Sequence, residues 1–165
     1  MHVGTSDSGA TFSPNRRHRY VLWRRWVEAC PLERMIAFIG LNPSTADETV
    51  NDPTVTRCIN YADRWGYDGM LMLNIFAFRA TEPKDMKAFP YPVGCLNDTA
   101  LLSCGCRVDS IVCCWGTHGG HNHRDIYVRW LLSRIGTQAH HLGLNKNGSP
   151  KHPLYLRSDL ERVEW

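Results

Sequence analysis

The chain lacks any apolar run approaching the roughly 20 residues that a bilayer-spanning helix needs, so no membrane partner is expected. It lacks a glycine-rich phosphate loop after any of its apolar segments, which argues against phosphoryl and hydride transfer. Its seven cysteines lack ligand spacing. Neither Cys104-Gly-Cys106 nor the run His118-Gly-Gly-His121-Asn-His123 has the paired spacing of a zinc site, and no four thiolates are spaced for an iron–sulfur cluster. No metal or other cofactor is therefore expected. Charge of one sign is also scarce: 19 Lys and Arg face 16 Asp and Glu, a net charge of +3, which permits a nucleic-acid partner without demanding one. Residues 1–15 carry no apolar signal-peptide core, and the cysteine count is odd. A cytoplasmic chain with free thiols acting as small hydrophobes is the expectation.

What is present is a globular composition, 43% hydrophobic and 21% charged over 165 residues, a length that suits one domain. Residues 1–15 read as a disordered tail and 16–165 as a single domain, expected to be monomeric. The segment from Arg16 to Trp26 interleaves five arginines with aromatics; it suits an edge strand with solvated charges or a strip that contacts phosphates. Met35 to Leu41 is a continuous apolar run typical of a strand buried on both faces. Asp52 and Pro53 read as the cap and first residue of a helix whose apolar face is Val55, Cys58, Ile59, Ala62 and Trp65, ended by Gly66. Gly69 to Ile75 is a second buried strand. A proline-rich loop from Phe78 to Gly94 leads to a short helix, Asn97 to Cys104. Ser110 to Trp115 is a third buried strand, followed by a helix from Arg124 to Ile135 with Ile126, Trp130, Leu131 and Ile135 as its apolar face. Gln138 to Leu142 is a short fourth strand. Strands alternating with helices predict an α/β fold: a three-layer α/β/α sandwich around a central, mainly parallel four-stranded sheet.

In such sheets ligands bind beyond the carboxyl ends of the strands. The residues there are Leu41-Asn42-Pro43-Ser44, then Asn74, then Thr117-His118, then Ser149-Pro150-Lys151-His152. Amide, hydroxyl and imidazole groups dominate, and an Asn offers both donor and acceptor to the edge of a flat heterocycle. Asn42 and Asn74 also suit ordinary strand-ending turns, Trp115 suits the core, and Asp52 suits a helix cap.

Four segments, Gly40-Leu-Asn-Pro-Ser44, Gly69-Met-Leu-Met-Leu-Asn74, Val112-Cys-Cys-Trp-Gly-Thr117 and Ser149-Pro-Lys-His-Pro-Leu154, resemble in their order and spacing the motifs of the uracil-DNA glycosylase superfamily. Over nearly the whole chain, Gly40 to Asp47, Asn51 to Thr54 and Gly148 to Leu154 look like a bacterial and phage family known as a domain of unknown function. The glycosylase resemblance implies an enzyme that hydrolyses the N-glycosidic bond of a base flipped out of DNA. It implies that Asn42 positions water, that Asn74 binds the base edge and that His152 donates to the departing base. Leu41 and Pro43 would frame the pocket, and Phe76 or Phe78 would stack on the extruded base. Leu154 or Tyr155 would wedge into the vacated stack.

This sequence departs from the superfamily at several points. An Asn at 42 is no general base, so Asp47 and Asp52 are the candidate carboxylates. Ser44 stands where strict uracil enzymes carry a bulky aromatic, which leaves room for a modified or mismatched pyrimidine. Ser149 competes with His152 for the last motif position. Arg16, Arg17, Arg19, Arg79, Thr117, His118 and Lys151 are the expected DNA contacts. Two other readings stay open: an N-glycosidase acting on free nucleosides or nucleotides, and a nucleic-acid binder without chemistry.

Overall fold

The computed structural model describes residues 7–165. The N-terminal tail expectation is corrected over its described part, because Asp7–Phe12 forms strand β1. Residues 1–6 lie outside the described residues. β1 pairs antiparallel with β2, Arg19–Arg25, and the Arg25 guanidinium pairs with Asp7 at 2.9 Å where the two strands meet. The expectation of an edge strand is corrected too: β2 lies between β1 and β4, Gly69–Asn74. Inside the sheet both Arg19 and Arg24 are out of solvent, and the pairing with β1 shifts register between them, where Thr11 faces Val21 and Phe12 faces Arg19.

β3 (Met35–Gly40), β4 and β5 (Ser110–Cys113) follow the apolar runs of the sequence, with every residue buried, and β6 (Ala139–His141) falls within the short fourth strand expected at Gln138 to Leu142. β3 pairs in parallel with both β4 and β5, and β5 in parallel with β6. The short β7, Val163–Glu164, closes the other edge antiparallel to β6. The described sheet is thus seven-stranded and mixed, in the order β1-β2-β4-β3-β5-β6-β7, rather than four-stranded. Strands with no apolar run (β1 and β7) widen it at both edges.

Side-chain alternation divides the core. Ile36, Phe38, Met70, Met72, Val112 and Cys114 face α1, Pro53–Arg64, which buries Val55, Cys58, Ile59, Tyr61 and Ala62 against them. Each large apolar side chain buried here contributes about 1.5–3 kcal/mol. Asp52 caps α1 by accepting from the Val55 N–H at 2.8 Å, with Pro53 at the first helical position, as the sequence indicates. The opposite face packs Ala37, Ile39, Leu71, Leu73, Ile111 and Cys113 against α2 (Pro83–Ala88), α3 (Asn97–Gly105) and α4 (Arg124–Leu132). Helices therefore cover both faces. α2 falls inside the segment expected to be a loop, where Pro83 starts the helix instead of breaking it.

The inward face of α4 is corrected. Arg124, Val128, Leu131 and Leu132 point inward, whereas Ile126 and Trp130 are 64% and 54% exposed. The helix is turned because the Arg124 guanidinium finds acceptors inside: its Nε donates to the Ile75 carbonyl at 2.7 Å and its Nη2 pairs with Asp98. Cys30, Cys58, Cys113 and Cys114 are buried as small hydrophobes, while Cys95 and Cys106 are exposed. No helix among the described residues is long and apolar enough to cross a membrane.

Candidate functional site

The chain leaves β3 for β4 on one side and returns to β5 on the other, so a crevice opens beyond the ends of these three strands. A cleft of about 860 Å³ lies there, within the range of small-molecule and nucleotide sites. Of the residues expected from sequence, Arg19, Leu41, Asn42, Ser44, Asp52, Asn74, Thr117, His118, Lys151, His152, Leu154 and Tyr155 line it.

Asn42 follows β3. Its Nδ2 donates to the main-chain carbonyls of Pro43 at 3.0 Å and Ala80 at 2.7 Å, which fixes the amide and leaves Oδ1 as an acceptor. Asn74 ends β4 and is 2% exposed; its Oδ1 accepts from Arg19 Nη2 at 3.2 Å, while its buried Nδ2 has no acceptor among the described residues. Gly40 lies beside it in register. A Cβ there would stand 2.7 Å from Met72 Cε and 3.0 Å from Asn74 Nδ2, so only glycine lets the amide lie against β3.

His152 comes from the far end of the chain. Its Nδ1 accepts the Leu154 N–H at 3.3 Å, capping the 3₁₀ turn Pro153–Tyr155, so Nε2 carries the ring proton. That turn is strapped to α1, where Tyr61 Oη donates to the Arg157 carbonyl and Arg57 to the Leu154 carbonyl. Burial holds the His152 imidazole below its usual pKa, with the Asp52 charge acting against it. Burial likewise lowers the Arg19 guanidinium to about 10; the Asp52 charge opposes this, and Arg79 and Arg24 add to it. Asp52 is the carboxylate of the cleft, with Oδ1 engaged in the helix cap. Gly116 carries a φ of 72° where the chain turns off β5, a region that favours glycine, and its N–H donates to the Pro150 carbonyl at 2.9 Å.

The other expected residues lie elsewhere. Asp47 Oδ1 accepts from the main-chain N–H groups of Thr49 and Val50 at 3.0 and 2.8 Å, which hold the carboxyl below its usual pKa: it shapes a turn. Ser149 closes a loop with Asn145 and Asn147. Phe76 is fully buried, so its ring has no face for a base, and Phe78 stacks on Phe89 at 3.9 Å between centroids. Pro43 is buried behind Asn42. Arg16 pairs with Glu48 at 2.7 Å and lies over Phe12, Arg79 lies over the same ring, and Arg17 lies over Phe89 and Phe78. The strip from Arg16 to Arg25 is therefore not a free row of charges.

Sequence reasoning missed Asn97, the first residue of α3. Fully buried, its Nδ2 donates to the carbonyls of Asn74 at 2.9 Å and Ile75 at 3.1 Å, and with Arg124 it anchors the end of β4. A polar residue opening a helix is usually read as an exposed cap, so the sequence carries no sign of this role. Thr45, Thr81 and Asn145 add further polar groups to the lining. Among the described residues no three His, Cys, Asp or Glu side chains converge as metal ligands.

No curated protein and no solved structure matches the chain at a significant level. A family model matches residues 19–154, a span that runs from the buried Arg19 through the cleft to Leu154. The chain belongs to the family described as protein of unknown function DUF1643.

Proposed function

We propose that the cleft hydrolyses the N-glycosidic bond of a pyrimidine base flipped from DNA, on a fold of the uracil-DNA glycosylase type. The supporting observation is that Asn42, Asn74, Asp52 and His152, brought from four separate segments, line one cleft with complementary free valences. Asn42 presents an acceptor, His152 presents a donor and Asp52 presents negative charge, while the Asn74 amide is buried in the cleft wall with its Nδ2 unpaired among the described residues.

Such a reaction needs charge stabilised on a departing base and a positioned water. The C–N bond breaks with its electron pair going to the base. The neutral His152 Nε2–H donates to the base oxygen on which charge develops, a task that a depressed imidazole pKa suits. Asp52 faces the cation that develops on the sugar. Water held on Asn42 Oδ1 supplies the oxygen of the new C–O bond and gives its proton to the Asp52 carboxylate. The base takes up a proton from solvent. Ser44, small and half-buried at the cleft wall, leaves space for a C5 substituent, which supports a modified or mismatched pyrimidine. Lys151 and the 88% exposed Tyr155 stand at the rim, in place to meet backbone and stacked bases.

The second reading, hydrolysis of free nucleosides or nucleotides, draws on the burial of Arg19 and the pairing of Arg16 with Glu48, which remove charges that a DNA strand would use. Incubation with single-stranded and duplex oligonucleotides carrying uracil, mismatched thymine or C5-modified pyrimidines, followed by alkaline cleavage, separates the two. Salt-sensitive release from oligonucleotides supports the DNA enzyme; release from nucleosides alone supports the other.

A further inference from the structure

The outer face of α4 is uncovered. Ile126, Tyr127 and Trp130 on it are exposed large hydrophobics, and no other described helix or strand carries more than one. An exposed apolar cluster of this kind marks a place where something docks. With about 3.6 residues per turn, Ile126 and Trp130 lie one above the other in the middle of the face. Asp125 and Arg129, also four apart, line one flank, and Tyr127 lies on the other. Neither Asp125 nor Arg129 makes an ion pair among the described residues. Asp125 Oδ1 accepts the Ile126 N–H at 2.9 Å, and Arg129 lies over the Trp165 ring at 4.3 Å, a stacking that leaves its in-plane N–H groups able to bond a carboxylate.

This pattern is complementary to itself. A two-fold axis across two antiparallel helices sets each flank against its own image. With the axis between residues 127 and 128, Ile126 meets Trp130 of the second copy, Trp130 meets the second Ile126, and the two Tyr127 rings come together. On the charged flank Asp125 meets Arg129, and symmetry repeats the pair. A parallel arrangement would set each flank against the opposite one and separate Asp125 from Arg129. A nucleic-acid strand would place phosphates against Asp125. We propose that α4 is a self-association face, on which a second copy of this chain docks antiparallel to form a two-fold dimer in place of the monomer expected from sequence. Burial of Ile126 and Trp130 supplies the attraction, and the two ion pairs fix the register. A contact of one nine-residue helix from each copy falls short of the roughly 800 Å² per partner of a standard interface, so monomer and dimer exchange and concentration sets their ratio. None of these residues lines the cleft, so docking is independent of the cleft's ligand.

Sedimentation velocity from low to high micromolar concentration tests the docking in wild type, Asp125→Arg, Arg129→Asp and Trp130→Ala, with thermal unfolding measured alongside. Wild type should shift from monomer to dimer as concentration rises. Each contact occurs twice in a two-fold interface, so each variant should weaken dimerisation by at least about tenfold. Mixing the two charge variants tests the register. In an equimolar mixture of Asp125→Arg and Arg129→Asp both flank pairs again join opposite charges, so a dimer should return that neither variant forms alone. A wild type that stays monomeric throughout overturns the proposal and leaves the face to another protein or to nucleic acid. A dimer that any of the three variants keeps at wild-type strength overturns it as well, and a mixture that stays monomeric overturns the antiparallel docking. If a charge variant fails to fold, Trp130→Ala decides: loss of the dimer supports the proposal and its retention overturns it.

Discussion

Asn97 Nδ2 donates to the main-chain carbonyl of Asn74 at 2.9 Å, so the first residue of α3 holds the last residue of β4 in place. The same amide reaches the Ile75 carbonyl, and both contacts are fully buried. Asn97→Ala leaves two buried carbonyls without this donor, a loss of roughly 1–3 kcal/mol for each one that stays unpaired. Urea unfolding should show a lower midpoint with an unchanged slope. A midpoint equal to wild type would mean that β4 needs no such anchor.

Asn42 is an amide for a physical reason. Its Nδ2 bridges the Pro43 and Ala80 carbonyls, and a carboxylate there would face two oxygens with no proton between them. Asn42→Asp should therefore destabilise the protein at neutral pH by about 1–3 kcal/mol, the cost of an unmatched buried polar group. The folded state would raise the new carboxyl's pKa above its unfolded value. The deficit should then shrink as pH falls and the carboxyl regains a proton to donate. Thermal melts of the variant and wild type at pH 5 and pH 7 check this; an equal deficit at both values would contradict it.

His152 sets an acid limit. Burial places its pKa in the folded state below the unfolded value of 6.5, and burial with His140 does the same to His141. As pH falls through about 6.5 the unfolded chain gains protons that the folded one resists, so stability falls and levels off only below the folded pKa values. Protonation also puts a hydrogen on Nδ1 against the Leu154 N–H that it accepts. His152→Gln should flatten part of the acid limb in a stability–pH curve. An identical limb would assign that limb to other groups.

Gly40→Ala separates site from scaffold. The added methyl meets the flexible end of Met72 and the amide of Asn74, so the core can yield while the amide cannot stay in place. Nucleotide binding should weaken by at least about tenfold, a lost base contact, while the unfolding midpoint shifts by less than Asn97→Ala shifts it. Binding at the wild-type level would show that Asn74 tolerates displacement.

Arg17 lies over Phe89 at 4.6 Å and makes no ion pair among the described residues, whereas its neighbour Arg16 is held by Glu48. Arg17→Ala should lower the slope of log affinity against log salt for an oligonucleotide by about one contact's share, and Arg16→Ala by less. Equal slopes in wild type and Arg17→Ala would remove Arg17 from the strand's path.

The fold was readable where physics is local. Unbroken apolar runs located β3, β4 and β5, and Asp52-Pro53 located the start of α1. The rule that ligands sit beyond strand ends led to Asn42, Asn74 and His152. What escaped depended on tertiary partners. β1 is polar and exists because β2 offers it an edge; α4 turns its Ile126 and Trp130 outward because Arg124 has acceptors inside. Arg19 read as a surface charge because nothing in its neighbourhood along the chain reveals that β4 packs beside it. Asp47 and Asp52 are both candidate bases in sequence, Asp52 with a helix-cap reading beside it, and only the fold separates the turn from the cleft.

Hydrolysis in the cleft is tested most directly by single-turnover base release from an oligonucleotide carrying a C5-modified or mismatched pyrimidine, with wild type, Asn42→Ala and His152→Ala compared at one salt concentration. The cleft chemistry requires abasic sites with wild type and at least about a hundredfold slower release in each variant, the scale of a lost positioning or charge-stabilising group. No abasic site with any substrate, or release unchanged in both variants, would contradict it.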